Sequence, residues 1–230
     1  MLTIPNRPYS VPVEARESLP FIVRLVESAQ DLQKAVEIRS SAFTRHFPAL
    51  GEVLREPEAD DHRSDVLVLV AERKTDGRVL GSMRMQPNLH RPLRVESETK
   101  LPEAYQDRRL IEFMRLGVEN GNAGRMVMAG LCKAGYEICH ASRFDFILAA
   151  GRRSTSEIYR SMRFDDVFQG RTFALSYAKN TLHGIFSLPL EEADHRWRTA
   201  AHSLYGFMAR TEHRDIRIDY DRVAYVFGEP

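Results

Sequence analysis

The chain has 230 residues, enough for one enzyme-sized domain with a sizeable core. Its 33 lysines and arginines nearly balance its 32 aspartates and glutamates, so the net charge of +1 gives no general case for nucleic-acid binding. Cys132 and Cys139 lie two turns apart on one predicted helix, about 10 Å, which is too far for a disulfide. No metal-site spacing, signal-peptide pattern or membrane-spanning apolar run is present in the sequence. We therefore expect a reduced, soluble, cytoplasmic protein without a metal.

Apolar periodicity and turn residues divide the first half of the chain. Ser28 and Asp31 form a capping-box pattern at the start of a helix, and the pair Asp76-Gly77 is a hairpin signal. The predicted elements are an irregular arm at 1–19, a strand at 21–27, an amphipathic helix at 29–47, an acidic loop at 52–64, and hairpin strands at 65–73 and 78–86.

The second half alternates strands and helices before a less periodic tail. Its predicted elements are strands at 110–118 and 144–150, helices at 125–141 and 151–162, a strand at 172–177, a helix at 192–210, and a weakly alternating strand at 216–227. This order predicts a mixed α/β (α+β) fold, with a mostly antiparallel central sheet and helices on both faces. We divide the chain into an arm (1–19), a core (20–178) and a C-terminal extension packed on the core (179–230).

Two sets of residues resemble known families. Residues 157–164 (EIYRSMRF) resemble a helix of the GNAT superfamily of N-acetyltransferases, with Arg163 where a glycine is usual. A spaced set resembles the pattern shared by acyl-homoserine-lactone synthases and long-chain N-acyl amino acid synthases: Arg39, Phe43, Asp60, Asp61, Gly81, Arg84, Glu112 and Arg115. The resemblance covers residues 21–178 and implies a GNAT-like fold.

The N-acyl amino acid synthases are the closer of these two relatives. The segments VLGSMRMQPN, LIEFMRLGV and ILAAGRRSTSEIYRSMRFDDV are similar to that family, and a long C-terminal extension also suits it. The resemblance implies transfer of a long-chain acyl group from acyl carrier protein to the α-amine of an amino acid. Two alternatives stay open: a lactone synthase that uses S-adenosylmethionine, and a non-catalytic acyl-carrier or lipid-binding module.

For the chemistry, the resemblance points to Glu112 as the base or amine-orienting group and to Tyr159 as the proton donor to the departing thiolate. Glu112 and Arg115 are three residues apart on a strand, so their side chains face opposite sides unless a bulge intervenes. We predict such a bulge. The alternatives are separate structural salt bridges for Glu112 and Arg115, and a core position for Tyr159.

The acceptor substrate is assigned to charged residues of the same set. Arg39 and Arg84 are candidates for its carboxylate, because guanidinium forks bind carboxylates in bidentate fashion. Asp60 or Asp61 would orient one of these arginines or take the amine, although an acidic surface loop explains them equally well. The predicted substrate-binding set is Arg39, Phe43, Asp60, Asp61, Arg84 and Arg115.

The acyl donor is assigned to the turn after the strand at 110–118 and to a second basic site. Helix amides and a glycine-bearing turn can hold phosphate, but this turn lacks the strict coenzyme A signature and suits a carrier protein. An ordinary turn and a solvated helix end are the alternatives. The predicted donor-binding set is Gly121, Asn122, Gly124, Arg125, Arg152 and Arg153. No permanently bound cofactor is expected; the donor is acyl-phosphopantetheine on acyl carrier protein, or acyl-CoA.

Two further expectations concern lipid. The eight methionines cluster around the predicted strands, which suits either an acyl-chain tunnel or ordinary core packing. A lipid product implies peripheral membrane contact.

Overall fold

The computed structural model describes residues 13–228. Residues 1–12 of the predicted irregular arm lie outside the described residues. Within residues 13–19 the prediction is wrong only for Ala15–Glu17, which form a strand that pairs in parallel with Thr211–His213. The backbone donors and acceptors of the arm are thus satisfied by a distant part of the chain, which local sequence cannot indicate.

The described strands and helices are as follows. The strands are β1 (Ala15–Glu17), β2 (Phe21–Leu25), β3 (Leu67–Arg73), β4 (Val79–Pro87), β5 (Leu110–Val118), β6 (Phe146–Gly151), β7 (Asp165–Asp166), β8 (Phe173–Leu175), β9 (Thr181–Pro189), β10 (Thr211–His213) and β11 (Ile216–Arg217). The helices are α1 (Ala29–Thr44), α2 (Pro48–Val53), α3 (Arg94–Glu98), α4 (Gly121–Ala141), α5 (Ser156–Ser161), α6 (Leu190–Thr199) and α7 (Tyr220–Phe227).

Nine of these strands form the central sheet, in the order β11-β2-β3-β4-β5-β6-β9-β7, with β8 on β9. The pairs β11–β2 and β5–β6 are parallel and the others are antiparallel. Neighbouring residues of β4 show that helices cover both faces: the Ser82 hydroxyl donates to Ala35 O of α1, whereas Met83 contacts the Gly135 position of α4. The predicted mixed, mostly antiparallel sheet with helices on both faces is confirmed.

The core explains why α4 is rich in small residues. A Cβ atom on Gly135 would lie 2.6 Å from the Phe113 ring and 2.8 Å from Met83, and one on Gly130 would lie 2.9 Å from the Phe21 ring. Glycine at these positions lets the helix axis approach the sheet closely. The small residues of α4 therefore set the depth at which the helix lies against β2, β4 and β5.

The C-terminal residues differ from their predictions in two ways. Strand β9 lies in the part that the sequence assigns to the extension, but its residues 184–189 pair with the whole of β6, so the sheet crosses the predicted boundary at residue 178. The predicted strand at 216–227 is wrong beyond Arg217: Asp219 caps α7 by accepting from the Arg222 N–H, and Val223 and Phe227 are buried one turn apart. The division into core and extension stays a prediction.

Other element boundaries are shorter than predicted. The helix expected at 192–210 ends at Thr199 and is followed by a π-helical turn at 206–210. The helix expected at 151–162 spans only Ser156–Ser161, because Gly151 still belongs to β6. The strand expected at 172–177 covers three residues, Phe173–Leu175. None of the helices within residues 13–228 is long and apolar enough to cross a membrane.

Candidate active site

A cleft opens where β5 and β6 separate. These parallel strands are paired only from Leu110–Phe146 to Glu112–Leu148, and beyond that point they diverge. The cleft between them has a volume of about 280 Å³ and is closed on one side by the end of α1 and by α2. Among the described strands β5 has no partner on this side after Glu112, so its backbone groups there, apart from the Val118 carbonyl that accepts from Arg45, can bind an extended ligand.

A bulge in β5 lies at the centre of the cleft. Ser82 pairs with Gly117 and Arg84 with Met114, so two steps along β4 correspond to three along β5. Arg115 has a φ of 53°, in the left-handed region that a non-glycine residue seldom occupies. The extra residue turns Arg115 to the same side as Glu112, and both line the cleft. The predicted bulge is confirmed.

Glu112 is the most strongly perturbed carboxyl group of the cleft. It is 1% exposed, and burial raises its pKa to about 7. Its carboxylate accepts the Val95 N–H at 3.3 Å through Oε2 and the Tyr177 hydroxyl at 3.2 Å through Oε1. A carboxyl group that titrates near neutral pH inside a cleft is suited to binding or deprotonating an amine.

Tyr177 connects Glu112 with Arg115. Its hydroxyl donates to Glu112, its carbonyl accepts Arg115 Nη2 at 2.9 Å, and its ring lies beneath the guanidinium groups of Arg94 and Arg115 at 5.2 and 5.9 Å. Burial raises the pKa of the Tyr177 phenol, so it stays a hydrogen-bond donor at neutral pH. The sequence treated Tyr177 only as the end of a strand, and no motif around it marked this role.

Behind the cleft lies a largely buried group of seven charges, here called the ion network. Glu58 is its hub: it accepts two hydrogen bonds from Arg115, at 2.7 and 2.8 Å, and one from Arg84 at 3.0 Å. Although burial opposes it, these arginines lower the pKa of Glu58 to about 2. The members of the network are Arg39, Glu58, Asp60, Asp61, Arg84, Arg94 and Arg115.

Four predicted acceptor-binding residues belong to this network rather than to the cleft wall. Arg39 and Arg84 are both 0% exposed, and each contacts Asp61, at 2.8 and 3.3 Å. Asp61 is itself inaccessible, and Asp60 lies 3.3 Å from Arg94. The two arginines are therefore already matched by carboxylates, so a role in binding the substrate carboxylate stays a prediction and would require the network to open.

Tyr159 lies in the cleft wall opposite β5. Its ring stacks on Phe186 with centroids 5.0 Å apart, and a Cβ atom on Gly151 would lie 2.4 Å from that ring. The phenol makes no hydrogen bond with residues 13–228, and burial raises its pKa. A tyrosine held in this way keeps its proton and can donate it to a ligand in the cleft. At Arg163, where the resemblance expects glycine, φ is 65°, a conformation that glycine adopts at less cost.

The first turn of α4 carries the predicted phosphate site. Asn120 caps the helix, and Gly121, Asn122 and Arg125 are exposed at its start, with Arg125 hydrogen-bonded to Asn122. Gly124 has a structural role as well, since a Cβ atom there would lie 1.9 Å from the Glu119 carbonyl. The helix N-terminus follows the free stretch of β5 directly, which is the order expected for binding a pantetheine arm and then a phosphate.

The remaining predicted residues divide between cleft and surface. Phe43 and Arg152 line the cleft, whereas Arg153 is exposed outside it. The Arg152 guanidinium lies 5.5 Å from the Phe47 ring and makes no ion pair with the described residues. His183, which the sequence left unassigned, also lines the cleft. No feature of the sequence indicated this role, because His183 lies at the start of β9, a strand that the sequence did not predict.

The methionines do not mark a tunnel in the described part of the chain. Met83 and Met85 are fully buried in the main core, and Met126 is 47% exposed on α4. Of the methionines within residues 13–228, Met114 alone lines the cleft, with its sulfur 3.8 Å from Arg84 Nη2. The course of an acyl chain beyond the cleft stays a prediction.

Residues 48–183 match the model of the family described as N-acyl amino acid synthase FeeM. No curated protein sequence matches the chain.

Solved structures with similar folds include two enzymes. The structure of FeeM, an N-acyl amino acid synthase from uncultured soil microbes, is 12% identical over 82% of this chain and 97% of that chain, with a TM-score of 0.59. That of BjaI, a CoA-dependent acyl-homoserine lactone synthase with SAM and isopentyl-CoA, is 18% identical over 90% and 98%, with a TM-score of 0.56. At these identities the structures establish the shared GNAT-type fold alone. The family model spans well over half of the sequence, and the chain therefore belongs to the FeeM family of N-acyl amino acid synthases.

Proposed function

We propose that the chain transfers a long-chain acyl group from the phosphopantetheine thioester of acyl carrier protein to the α-amine of an amino acid. The observation that carries the proposal is the cleft between β5 and β6, in which Glu112 and Tyr159 lie on opposite walls. Family membership supports acyl transfer to an amine. The use of acyl carrier protein as donor, the long acyl chain and the cytoplasmic location are proposed here in addition to what family membership supports.

The cleft can supply what acyl transfer requires. An extended pantetheine arm would pair with the free backbone of β5, and N–H groups of that strand would stabilise the oxyanion that forms on the thioester carbonyl. The ionised Glu112 carboxylate would bind the incoming amine, since its position in the cleft and its titration near neutral pH suit that role. Tyr159 would donate its proton to the departing sulfur.

The donor is assigned to acyl carrier protein rather than to free coenzyme A on two grounds. The start of α4 has the position of a phosphate site but lacks the glycine pattern of a coenzyme A loop. Arg152 and Arg153, together with Arg125, are cations at this end of the molecule without a carboxylate partner among the described residues, which suits an acidic carrier surface.

The test is an assay of the purified protein with long-chain acyl carrier protein or acyl-CoA as donor and individual amino acids as acceptors. Release of free thiol together with an N-acyl amino acid in the mass spectrum is the expected result, with faster turnover from the carrier protein. The Glu112→Gln variant should fold but show no turnover. A lactone formed with S-adenosylmethionine, or donor binding without thiol release, would overturn the proposal in favour of the lactone synthase or the non-catalytic module.

A further inference from the structure

The Glu112 carboxylate is held at both of its oxygens. Oε2 accepts the Val95 N–H at 3.3 Å, and Oε1 accepts the Tyr177 hydroxyl at 3.2 Å. An ionised carboxylate can only accept hydrogen bonds, so the Tyr177 hydroxyl is the donor. Each carboxylate oxygen has two lone pairs, and these two bonds leave one on each oxygen for an incoming N–H group. The two donors therefore orient Glu112 without exhausting its capacity to bind an amine.

The two donors belong to chain segments that are tied to each other. Val95 lies in the first turn of α3, and Tyr177 lies in the short turn at 176–178 that joins β8 to β9. Glu98, at the end of α3, accepts the backbone N–H of Ser176 at 3.1 Å and also accepts its hydroxyl. The Tyr177 phenol is therefore placed by contacts of its turn that do not depend on its own hydroxyl.

Tyr177 makes its other contacts through its backbone and its ring. Its carbonyl oxygen accepts Arg115 Nη2 at 2.9 Å, and its ring lies 5.2 and 5.9 Å from the guanidinium groups of Arg94 and Arg115. A phenylalanine at this position would keep all of these contacts and lose only the hydrogen bond to Glu112. The hydroxyl thus has one partner among the described residues, and that partner is the carboxyl group to which we assign the amine.

This hydrogen bond opposes the effect of burial on Glu112. Burial is the larger cause and raises the pKa of Glu112 to about 7, whereas the hydrogen bonds from Val95 and Tyr177 favour the ionised form. A carboxyl group of this pKa is about half ionised at neutral pH, so the loss of one donor changes the fraction of enzyme that can bind an amine. The charged and titratable groups that face Glu112 are Arg84 of β4, Arg94 of α3, Arg115 of β5, Tyr159 of α5 and Tyr177.

We propose that Tyr177 is a positioning residue of the reaction, whose hydroxyl fixes the Glu112 carboxylate in the cleft so that it can bind the acceptor amine. The inference rests on the proposed function and adds a residue to it. Tyr177 acts through Glu112 rather than on the substrate, and Tyr159 remains the proton donor to the departing sulfur. Because the phenol donates to the carboxylate, it favours the anion that an ammonium group requires.

Tyr177→Phe tests this role through the pH profile of kcat/KM for the amino acid. The acid limb of that profile reports the pKa of the essential carboxyl group in the free enzyme. Loss of the hydroxyl should move the limb up by about one pH unit, so wild type should exceed Y177F roughly tenfold at pH 6 and less than about twofold at pH 9. Tyr105→Phe is the matched control: it removes a hydroxyl that lies 2.6 Å from Ser187 Oγ, outside the cleft, and should keep the wild-type profile.

A purely structural role for Tyr177 would lower kcat/KM by the same factor at every pH. That result, or an unchanged profile, would overturn the inference. If Y177F does not fold by circular dichroism, Tyr177→Met, which also lacks the hydroxyl, takes its place with the same expected outcomes.

An NMR titration of labelled glutamate carboxyl groups gives a readout that does not need activity. The Glu112 signal is identified by its absence from Glu112→Gln, and its midpoint should rise in Y177F by the same amount as the acid limb. An unchanged midpoint would overturn the inference. A raised midpoint together with a wild type that acylates no amino acid would instead overturn the proposed function, while the hold of Tyr177 on Glu112 would stand.

Discussion

Arginines and carboxylates occupy two neighbouring regions of this molecule, the ion network and the cleft, and the regions differ in how completely their charges are matched. In the network, Arg39 and Arg84 are inaccessible and each contacts Asp61. In the cleft, Arg152 has an aromatic ring beside it but no carboxylate partner among the described residues. The same residue types therefore stabilise the fold in one region and remain available to a ligand in the other.

The largest effect on stability is expected from Asp61→Asn. This change leaves Arg39 buried, with only Glu58 at 4.0 Å as a remaining carboxylate. Removal of one partner from a buried ion pair costs about 3–5 kcal/mol, so the free energy of unfolding in urea should fall by that amount. Glu52→Gln, which breaks an exposed pair with Arg55, is the control and should change stability by less than about 0.5 kcal/mol. Equal effects of the two variants would contradict the distinction between network and surface charges.

A second prediction concerns the acid stability that the hub of the network provides. The pKa of Glu58 is about 2 in the folded state, below its ordinary value of 4.5. The folded state therefore keeps this carboxylate ionised after the unfolded state has taken up a proton. The resulting stability, roughly 3 kcal/mol, is fully present above pH 4.5 and is lost as the pH falls toward 2. Thermal unfolding followed between pH 5 and 2.5 should show this loss, and Glu58→Gln should flatten the profile.

Glu112 should behave in the opposite sense, because it belongs to the cleft. Its folded pKa of about 7 lies above the ordinary 4.5, so the folded state holds a proton that the unfolded state has released. Stability contributed by the protonated group is present below pH 4.5 and is lost as the pH rises toward 7, by roughly 3 kcal/mol at most. Glu112→Gln should consequently raise the melting temperature at pH 8 while it removes activity. If Glu112→Gln instead lowers the melting temperature at pH 8, the ionised Glu112 carboxylate stabilises the folded state, and the prediction is wrong.

The sequence predicted β2 to β6 well because their apolar patterns are strong and their burial is set by neighbours in the chain. It also predicted the bulge, since Glu112 and Arg115 could share a cleft only if one extra residue intervened. It did not predict β9 as a sheet strand or α7 as a helix. For α7, burial of Val223 and Phe227 decides the conformation against a weak alternating pattern.

The site was only partly predictable for a related reason. Glu58 stood in an acidic stretch that resembled a solvated loop, and its arginine partners are 26 and 57 residues away in the chain. Which arginines would be matched by carboxylates, and which left for a substrate, depends on these long-range pairings. Residue types and spacing singled out five of the seven charges of the ion network, but the other two, Glu58 and Arg94, and the division between network and cleft required the fold.

The smallest effect on stability is expected from Arg152→Gln, which sharpens the contrast from the cleft side. Its guanidinium has no carboxylate partner within residues 13–228, so its removal should change the free energy of unfolding by less than about 0.5 kcal/mol. If Arg152 binds the phosphate of the donor or the acidic carrier, the loss of one partly exposed ion pair should cost about 1 kcal/mol, a roughly five-fold rise in the KM for acyl carrier protein. Because salt screens such an interaction, the wild-type KM should increase with ionic strength and that of R152Q should increase less. If R152Q has the same KM for acyl carrier protein and the same salt dependence as wild type, Arg152 does not bind the donor and is available to bind the acceptor.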